Sequence, residues 1–140
     1  MKIFWDTNLF IYLWEKKSFQ PEIQKLLEWM EYHSHTIVTS SLSVGEILVQ
    51  PLKYGRTDIH DQYLRAFHQI TVIPFDTKGA SLFALLRSKY PSLKSPDAIQ
   101  LSCADISRCD LFLTNDTRLS SIKTPHLEKV LSLSDWTKKL

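Results

Sequence analysis

The stretch Met1-Lys2-Ile3-Phe4-Trp5-Asp6-Thr7-Asn8-Leu9-Phe10 changes character at one residue, Asp6. Ile3-Phe4-Trp5 is a short apolar run of the kind that forms a buried strand. From about Thr7 onward, Leu9, Phe10, Leu13 and Trp14 recur on one face of a helix. A strand that passes through an acid straight into a helix sets a carboxylate at the edge of a sheet. Acids rarely end a buried strand without a role, because an unpaired charge is costly to desolvate.

The alternation continues outward. Pro21 opens a helix with Ile23, Leu26, Leu27 and Met30 at i, i+3, i+4 and i+7. The β-branched run Thr36-Ile37-Val38-Thr39 predicts a second strand. A short helix from Ser43 to Val49 is expected to stop before Pro51, with a loop to Thr57 and a helix carrying Ile59, Tyr63 and Phe67. Thr71-Val72-Ile73 is the third strand. Asp76 is placed to cap a helix that holds Leu82, Phe83, Leu85 and Leu86 inside. Ser95-Pro96 reads as a cap followed by the first helical residue, which puts Asp97 second in a helix burying Ile99, Cys103 and Ile106. Leu111-Phe112-Leu113-Thr114 is the fourth strand. Val130 to Leu133 is a candidate fifth, and Ser134 to Leu140 a short terminal helix. Such alternation implies an α/β fold with a mostly parallel sheet of four to five strands. Its binding crevice lies beyond the carboxyl ends of the strands.

The composition agrees. The 140 residues are the length of one domain, expected to span 1–140, and 44% hydrophobic against 23% charged residues is an ordinary globular balance. Cys103 and Cys109 are too few for a disulfide scaffold and fit a reducing compartment. No apolar run nears the roughly 20 residues of a membrane span. Asp6 interrupts the only stretch resembling a secretion signal, so a cytoplasmic location is expected. The net charge of +2 is not that of a dedicated nucleic-acid binder. If four of the 15 acids gather in one site, however, 17 basic residues face only the remaining 11 elsewhere, a net of +6. An acidic pocket in a mildly basic surface suits a metal-using enzyme with a phosphate-bearing substrate.

Four acids are candidates. Asp6 follows the first strand and Asp116 follows the fourth, so both belong at the same sheet edge. Asp97 lies in the first turn of its helix, and Glu46 sits among Val44, Ile47 and Leu48. Each has an ordinary structural reading. Asp97 complements a helix N-terminus, worth about 0.3–1 kcal/mol. Asp116 is a turn residue, and Glu46 lies on a solvated stripe. Together, converging carboxylates repel one another unless a cation intervenes. Oxygen ligands select hard ions, so Mg²⁺ or Mn²⁺ fits and zinc does not. Such an ion activates water and stabilises charge on a phosphate during in-line displacement. Thr7, Asn8, Thr114 and Asn115 add neutral polar groups at the same edge, where they also serve turns and caps.

The ordered set Asp6-Thr7-Asn8, Glu46, Ser95-Pro96-Asp97-Ala98-Ile99-Gln100 and Leu113-Thr114-Asn115-Asp116 resembles the PIN domain family, and within it the VapC-like toxin ribonucleases of toxin–antitoxin pairs. The resemblance runs from residue 3 to about residue 133. It implies a three-layer α/β/α sandwich and Mg²⁺- or Mn²⁺-dependent cleavage of single-stranded RNA. Its acidic quartet falls on Asp6, Glu46, Asp97 and Asp116. The resemblance makes Asp6 and Asp97 the principal metal ligands and Asp116 the support of a second ion or a water-mediated contact. Glu46 would orient the nucleophilic water or complete the shell, with Asn8, Thr114 and Asn115 as auxiliary polar groups. A homodimer and a cognate antitoxin that blocks the acidic site are implied as well. The alternative in another class is a catalytically silent PIN-like module that docks RNA or protein. A dehalogenase-like phosphatase would require an acid where Asn8 stands.

Other residues carry less. Lys53, Arg56, Lys94, Arg118 and Lys123 are expected in loops near the crevice, where they serve as RNA-backbone contacts or as solvated surface charge. His33 and His35 mark the exposed end of a helix. Trp5, Phe10 and Trp14 have core spacing. The apolar breadth of residues 10–14 suggests burial partly supplied by a second subunit. Gly45, beside Glu46, either loosens its helix or admits another chain. Glycine-rich phosphate loops and a nucleophile elbow are absent from the sequence.

Overall fold

The computed structural model describes residues 1–15 and 18–139. Leu140, the end of the expected terminal helix, lies outside the described residues. The elements run β1 (Lys2–Trp5), α1 (Thr7–Trp14), α2 (Gln20–Tyr32), β2 (Thr36–Ser40), α3 (Ser41–Lys53), α4 (Thr57–Phe67), β3 (Thr71–Ile73), α5 (Thr77–Lys89), α6 (Ser95–Ile106), β4 (Leu111–Thr114), a 3₁₀ turn (Thr117–Ser121), β5 (Lys129–Ser132) and α7 (Leu133–Lys138). The expected α/β class holds. The sheet is five-stranded, ordered β3-β2-β1-β4-β5, with every described pairing parallel.

Alternation along the central strands explains the layers. Ile3 and Trp5 of β1 and Leu111 and Leu113 of β4 face a core completed by Leu9, Phe10, Ile23, Leu26, Met30, Ile47, Phe67 and Trp136. Phe4 and Phe112 face the other side, where they stack at 5.1 Å and meet Leu86, Leu101 and Ala104. Central strands buried on both faces read as continuous apolar runs. Strand order reverses between β1 and β4, and that switch point is where an open parallel sheet forms its crevice.

Several local expectations are corrected. α3 does not stop before Pro51 but runs through it to Lys53, with Pro51 buried. So close to the helix end, only one carbonyl, that of Ile47, loses its intrahelical N–H. Ser95 is not the cap of α6: Lys94 holds that position, Ser95 and Pro96 are first and second, and Asp97 is third. The Ser95 hydroxyl instead accepts from Arg87 at 2.7 Å. Leu85 is 53% exposed, and Ile99 and Ile106 are only half-buried. Part of the apolar breadth of α1 is met within the chain, since Trp14 stacks on Tyr63 and touches Phe67 edge-on, while residues 11–14 remain half-buried. A Cβ at Gly45 would meet nothing within 4 Å among the described residues, so none of them closes on it. His33 ends α2 as expected, its ring parallel to that of His35.

Candidate active site

Asp6 sits at the switch point. Its backbone N–H still donates to Leu113 of β4 at 3.0 Å, and its side chain caps α1 by accepting from the Thr7 amide at 2.8 Å. One residue thus ends the strand, starts the helix and presents a carboxylate. Its other oxygen accepts from Thr114 Oγ1 at 2.8 Å. Burial pushes the Asp6 carboxyl above the ordinary range. Hydrogen bonds from Thr114, Thr7 and Gln100 oppose that rise, and neighbouring Glu46 adds to it.

Asp97 comes from the first turn of α6. Burial raises its carboxyl too, reinforced by the charges of Asp6 and Asp116 and opposed by Arg118 and Lys94. Asp116 follows β4 and caps the 3₁₀ turn through the Arg118 amide. The Arg118 guanidinium grips it with Nε at 2.9 Å and Nη2 at 2.5 Å, which holds this carboxyl below the usual range. Glu46 lies on the exposed side of α3 and accepts from Thr7 Oγ1 at 2.8 Å. The four sequence-predicted acids are therefore linked at one edge of the sheet, through their charges and through hydrogen bonds to Thr7 and Thr114. Among the described residues, no three histidine, cysteine, aspartate or glutamate groups stand close enough to hold an ion between them as they lie.

The auxiliary polar groups join the same edge. Asn8 accepts from the Asn115 amide at 3.2 Å and donates to Thr114 Oγ1 at 3.4 Å, while Asn115 Nδ2 donates to Tyr12 at 2.7 Å. Lys94 and Arg118 line a cleft of about 160 Å³ with Asp97, floored by Leu93, Leu119 and Ile122. Lys53 and Arg56 do not join them. Lys53 is the last residue of α3 rather than a loop residue, and Arg56 precedes α4 bonded to Asp58. The backbone of Lys123 donates to Tyr90. Burial pushes the Cys103 thiol up to about 12, which removes it as a nucleophile.

Sequence reasoning assigned no role to Gln100, Ser40 or Ser43, all buried behind the acids. The available signal was Gln100 itself, a polar residue one turn after Asp97 between apolar Ile99 and Leu101.

This chain belongs to the PIN domain family, whose profile matches residues 3–125. Its fold is similar to that of VapBC2 from Rickettsia felis, solved bound to a DNA fragment from their promoter. That match has a TM-score of 0.76 and 20% identity over 94% of this chain and 98% of that one. A toxin–antitoxin complex from Klebsiella pneumoniae matches with a TM-score of 0.70 and 25% identity, over 94% and 97% of the two chains. DNA-bound VapBC from Salmonella typhimurium matches with a TM-score of 0.71 and 18% identity, over 95% and 98%. No curated protein matches the chain.

Proposed function

We propose that this chain is a metal-dependent endoribonuclease that cleaves single-stranded RNA, acting as the toxin of a toxin–antitoxin pair. The observation that carries the reading is the position of Asp6. It is buried at the β1/β4 switch point, near enough, with Asp116, to raise the cost of ionising Asp97, while Glu46 raises that of Asp6 itself. A protein keeps such mutually repelling carboxylates where a cation relieves them.

The donor set fits Mg²⁺ or Mn²⁺, since every acid offers hard oxygens. Asp6 and Asp97 would hold the ion directly. Asp116, engaged by Arg118, would contribute through water, in keeping with an ion that retains part of its hydration shell. Bound there, the cation supplies Lewis acidity to a water and to the scissile phosphate. The remaining work falls to side chains. Glu46, fixed by the Thr7 hydroxyl, orients the attacking water and takes its proton. Thr114 fixes the Asp6 carboxylate at the sheet edge. Lys94 and Arg118 attract the RNA backbone beside Asp97.

The toxin role and the antitoxin partner are supported by likeness to chains solved in toxin–antitoxin complexes. A cytoplasmic homodimer completes the proposal, and no described helix is long and apolar enough to cross a membrane. The silent-module reading draws on one observation, the Arg118 clamp on Asp116, which leaves that acid internally neutralised. RNA cleavage with Mg²⁺ or Mn²⁺ by wild type and Asp6→Asn separates the two. Cleavage lost in the variant supports the nuclease. Equal cleavage in both removes Asp6 from the mechanism, and RNA binding without cleavage in either favours the module. Expression in a bacterial host tests the toxin role: growth arrest is expected, and normal growth with soluble protein counts against it.

A further inference from the structure

Behind the acids, Gln100 of α6 is 2% exposed and meets polar groups from three other elements. Its Nε2 lies 2.7 Å from Ser43 Oγ, 3.2 Å from Asp6 Oδ1 and 3.2 Å from Thr7 Oγ1. Its Oε1 accepts from Ser40 Oγ in a short contact. Thr7 Oγ1 in turn lies 2.8 Å from Glu46 and 3.2 Å from Ser43 Oγ.

The proton inventory gives this network one direction. The amide nitrogen only donates and has two protons, and the Glu46 carboxylate only accepts. Thr7 has one hydroxyl proton, which goes to the nearer Glu46. One Gln100 amide proton goes to Ser43; the other goes to Asp6, whose carboxylate is a stronger acceptor than the equally distant Thr7 hydroxyl, and the Ser43 hydroxyl turns toward Thr7. The chain thus runs Ser40 to Gln100 to Ser43 to Thr7 to Glu46, with Asp6 as a branch. A flipped amide would set its oxygen against the Asp6 carboxylate, lone pair to lone pair, so Asp6 and Ser40 together admit one orientation.

We infer that Gln100 is the positioning residue of the metal centre. It fixes Asp6 and Glu46 relative to each other and to α6, the helix that carries Asp97. This rests on the metal-centre reading above. Gln100 touches no substrate. It acts by setting where the carboxylates of Asp6 and Glu46 stand, a role for which removal of an outer partner typically costs about 10–100-fold in metal affinity or activity.

The test is a Mn²⁺ titration followed by paramagnetic resonance of the free ion, on wild type, Gln100→Glu and Gln100→Met. Asp97→Asn serves as the control for the metal centre, and all are measured below the melting temperature of each protein. Gln100→Glu keeps the shape and replaces the donor by an oxygen. Gln100→Met keeps the approximate length and removes the polarity. Both are expected to bind Mn²⁺ at least tenfold more weakly while folded, with RNA kcat reduced and KM little changed, the pattern of lost transition-state geometry. Unchanged affinity in folded Gln100 variants, with Asp97→Asn still weakened, overturns the inference and leaves the metal centre standing. Absence of saturable binding in wild type overturns both. If neither Gln100 variant folds, Ser43→Ala decides: a severalfold loss of Mn²⁺ affinity is expected, and none overturns the inference.

Discussion

Thr114 donates its hydroxyl to Asp6 across the β1/β4 boundary, 2.8 Å from Oγ1 to Oδ2, with Thr114 fully buried. The same oxygen accepts from the Asp116 amide at 3.0 Å. One hydroxyl therefore joins the carboxylate of Asp6 to the backbone of Asp116. Thr114→Val keeps the shape but leaves the Asp6 carboxylate, the Asp116 amide and the Asn8 side chain each short of a hydrogen bond. An unsatisfied buried group costs about 1–3 kcal/mol. The variant is expected to melt several degrees lower and to cleave RNA at least tenfold more slowly. Thermal denaturation beside a cleavage assay checks both, and a variant equal to wild type in both would remove Thr114 from the site.

Asp97 makes the opposite prediction for stability. Its carboxyl is raised by burial and then by Asp6 and Asp116, so folding disfavours its charge. Well below the unfolded pKa, near 3.9, the group is protonated in both states and contributes nothing. As pH rises through the higher folded value, an unfavourable term develops, and it persists at pH 7. Asp97→Asn removes it. Without divalent ions the variant should melt a few degrees above wild type at pH 7, and the difference should vanish toward pH 3. With Mn²⁺ at 100 times its Kd, wild type gains about 2.7 kcal/mol. The variant should gain markedly less, which scanning calorimetry with and without the ion would read.

Much of this was legible in the sequence because the local signals were strong. Ile3-Phe4-Trp5 and Leu111-Phe112-Leu113 read as buried strands, and the acids that follow them fell at one edge once the sheet was parallel. What was not legible depends on tertiary partners. Pro51 looked like a stop, yet a proline in the last turn costs little and its ring is buried. Ser95 looked like a cap, but Arg87 from the neighbouring helix engages its hydroxyl. Gln100 closed the stretch Ser95 to Gln100 of the family resemblance without a role of its own. Its meaning lies in Ser40, Ser43, Asp6 and Thr7, which are far from it in sequence.

Asp105 lies at the far end of α6 and ties down the segment before β5. It accepts from the His126 amide at 2.7 Å, the Leu127 amide at 3.1 Å and His126 Nδ1 at 3.0 Å. Burial would raise its carboxyl, but hydrogen bonds from Thr124, His126 and Leu127 outweigh it and hold the group low. A depressed carboxylate contributes stability that is complete above the unfolded pKa and is lost as pH falls through the folded value. Asp105→Asn should therefore cost about 1–3 kcal/mol at pH 7. It should approach wild type below about pH 3. Urea denaturation midpoints across that range decide, and a constant gap at all pH values would contradict the assignment.

Arg118 joins Asp116 to the cleft that borders Asp97. Its guanidinium is paired with Asp116 yet largely exposed, with 69% of the side chain in solvent. Exposed pairs are worth about 0–1 kcal/mol, so the clamp competes only mildly with a metal ion. Arg118→Gln should tighten Mn²⁺ binding by no more than about fivefold. The same change removes a positive charge beside the cleft that borders Asp97, so RNA binding should weaken and lose part of its salt dependence. Titrating Mn²⁺ and a short single-stranded RNA separately, at low and at moderate salt, distinguishes the two effects. Tighter metal binding with weaker RNA binding is the expected pair. Unchanged RNA affinity would assign Arg118 to Asp116 alone, while a loss of Mn²⁺ affinity would mean that the clamp orders Asp116 rather than competing for it.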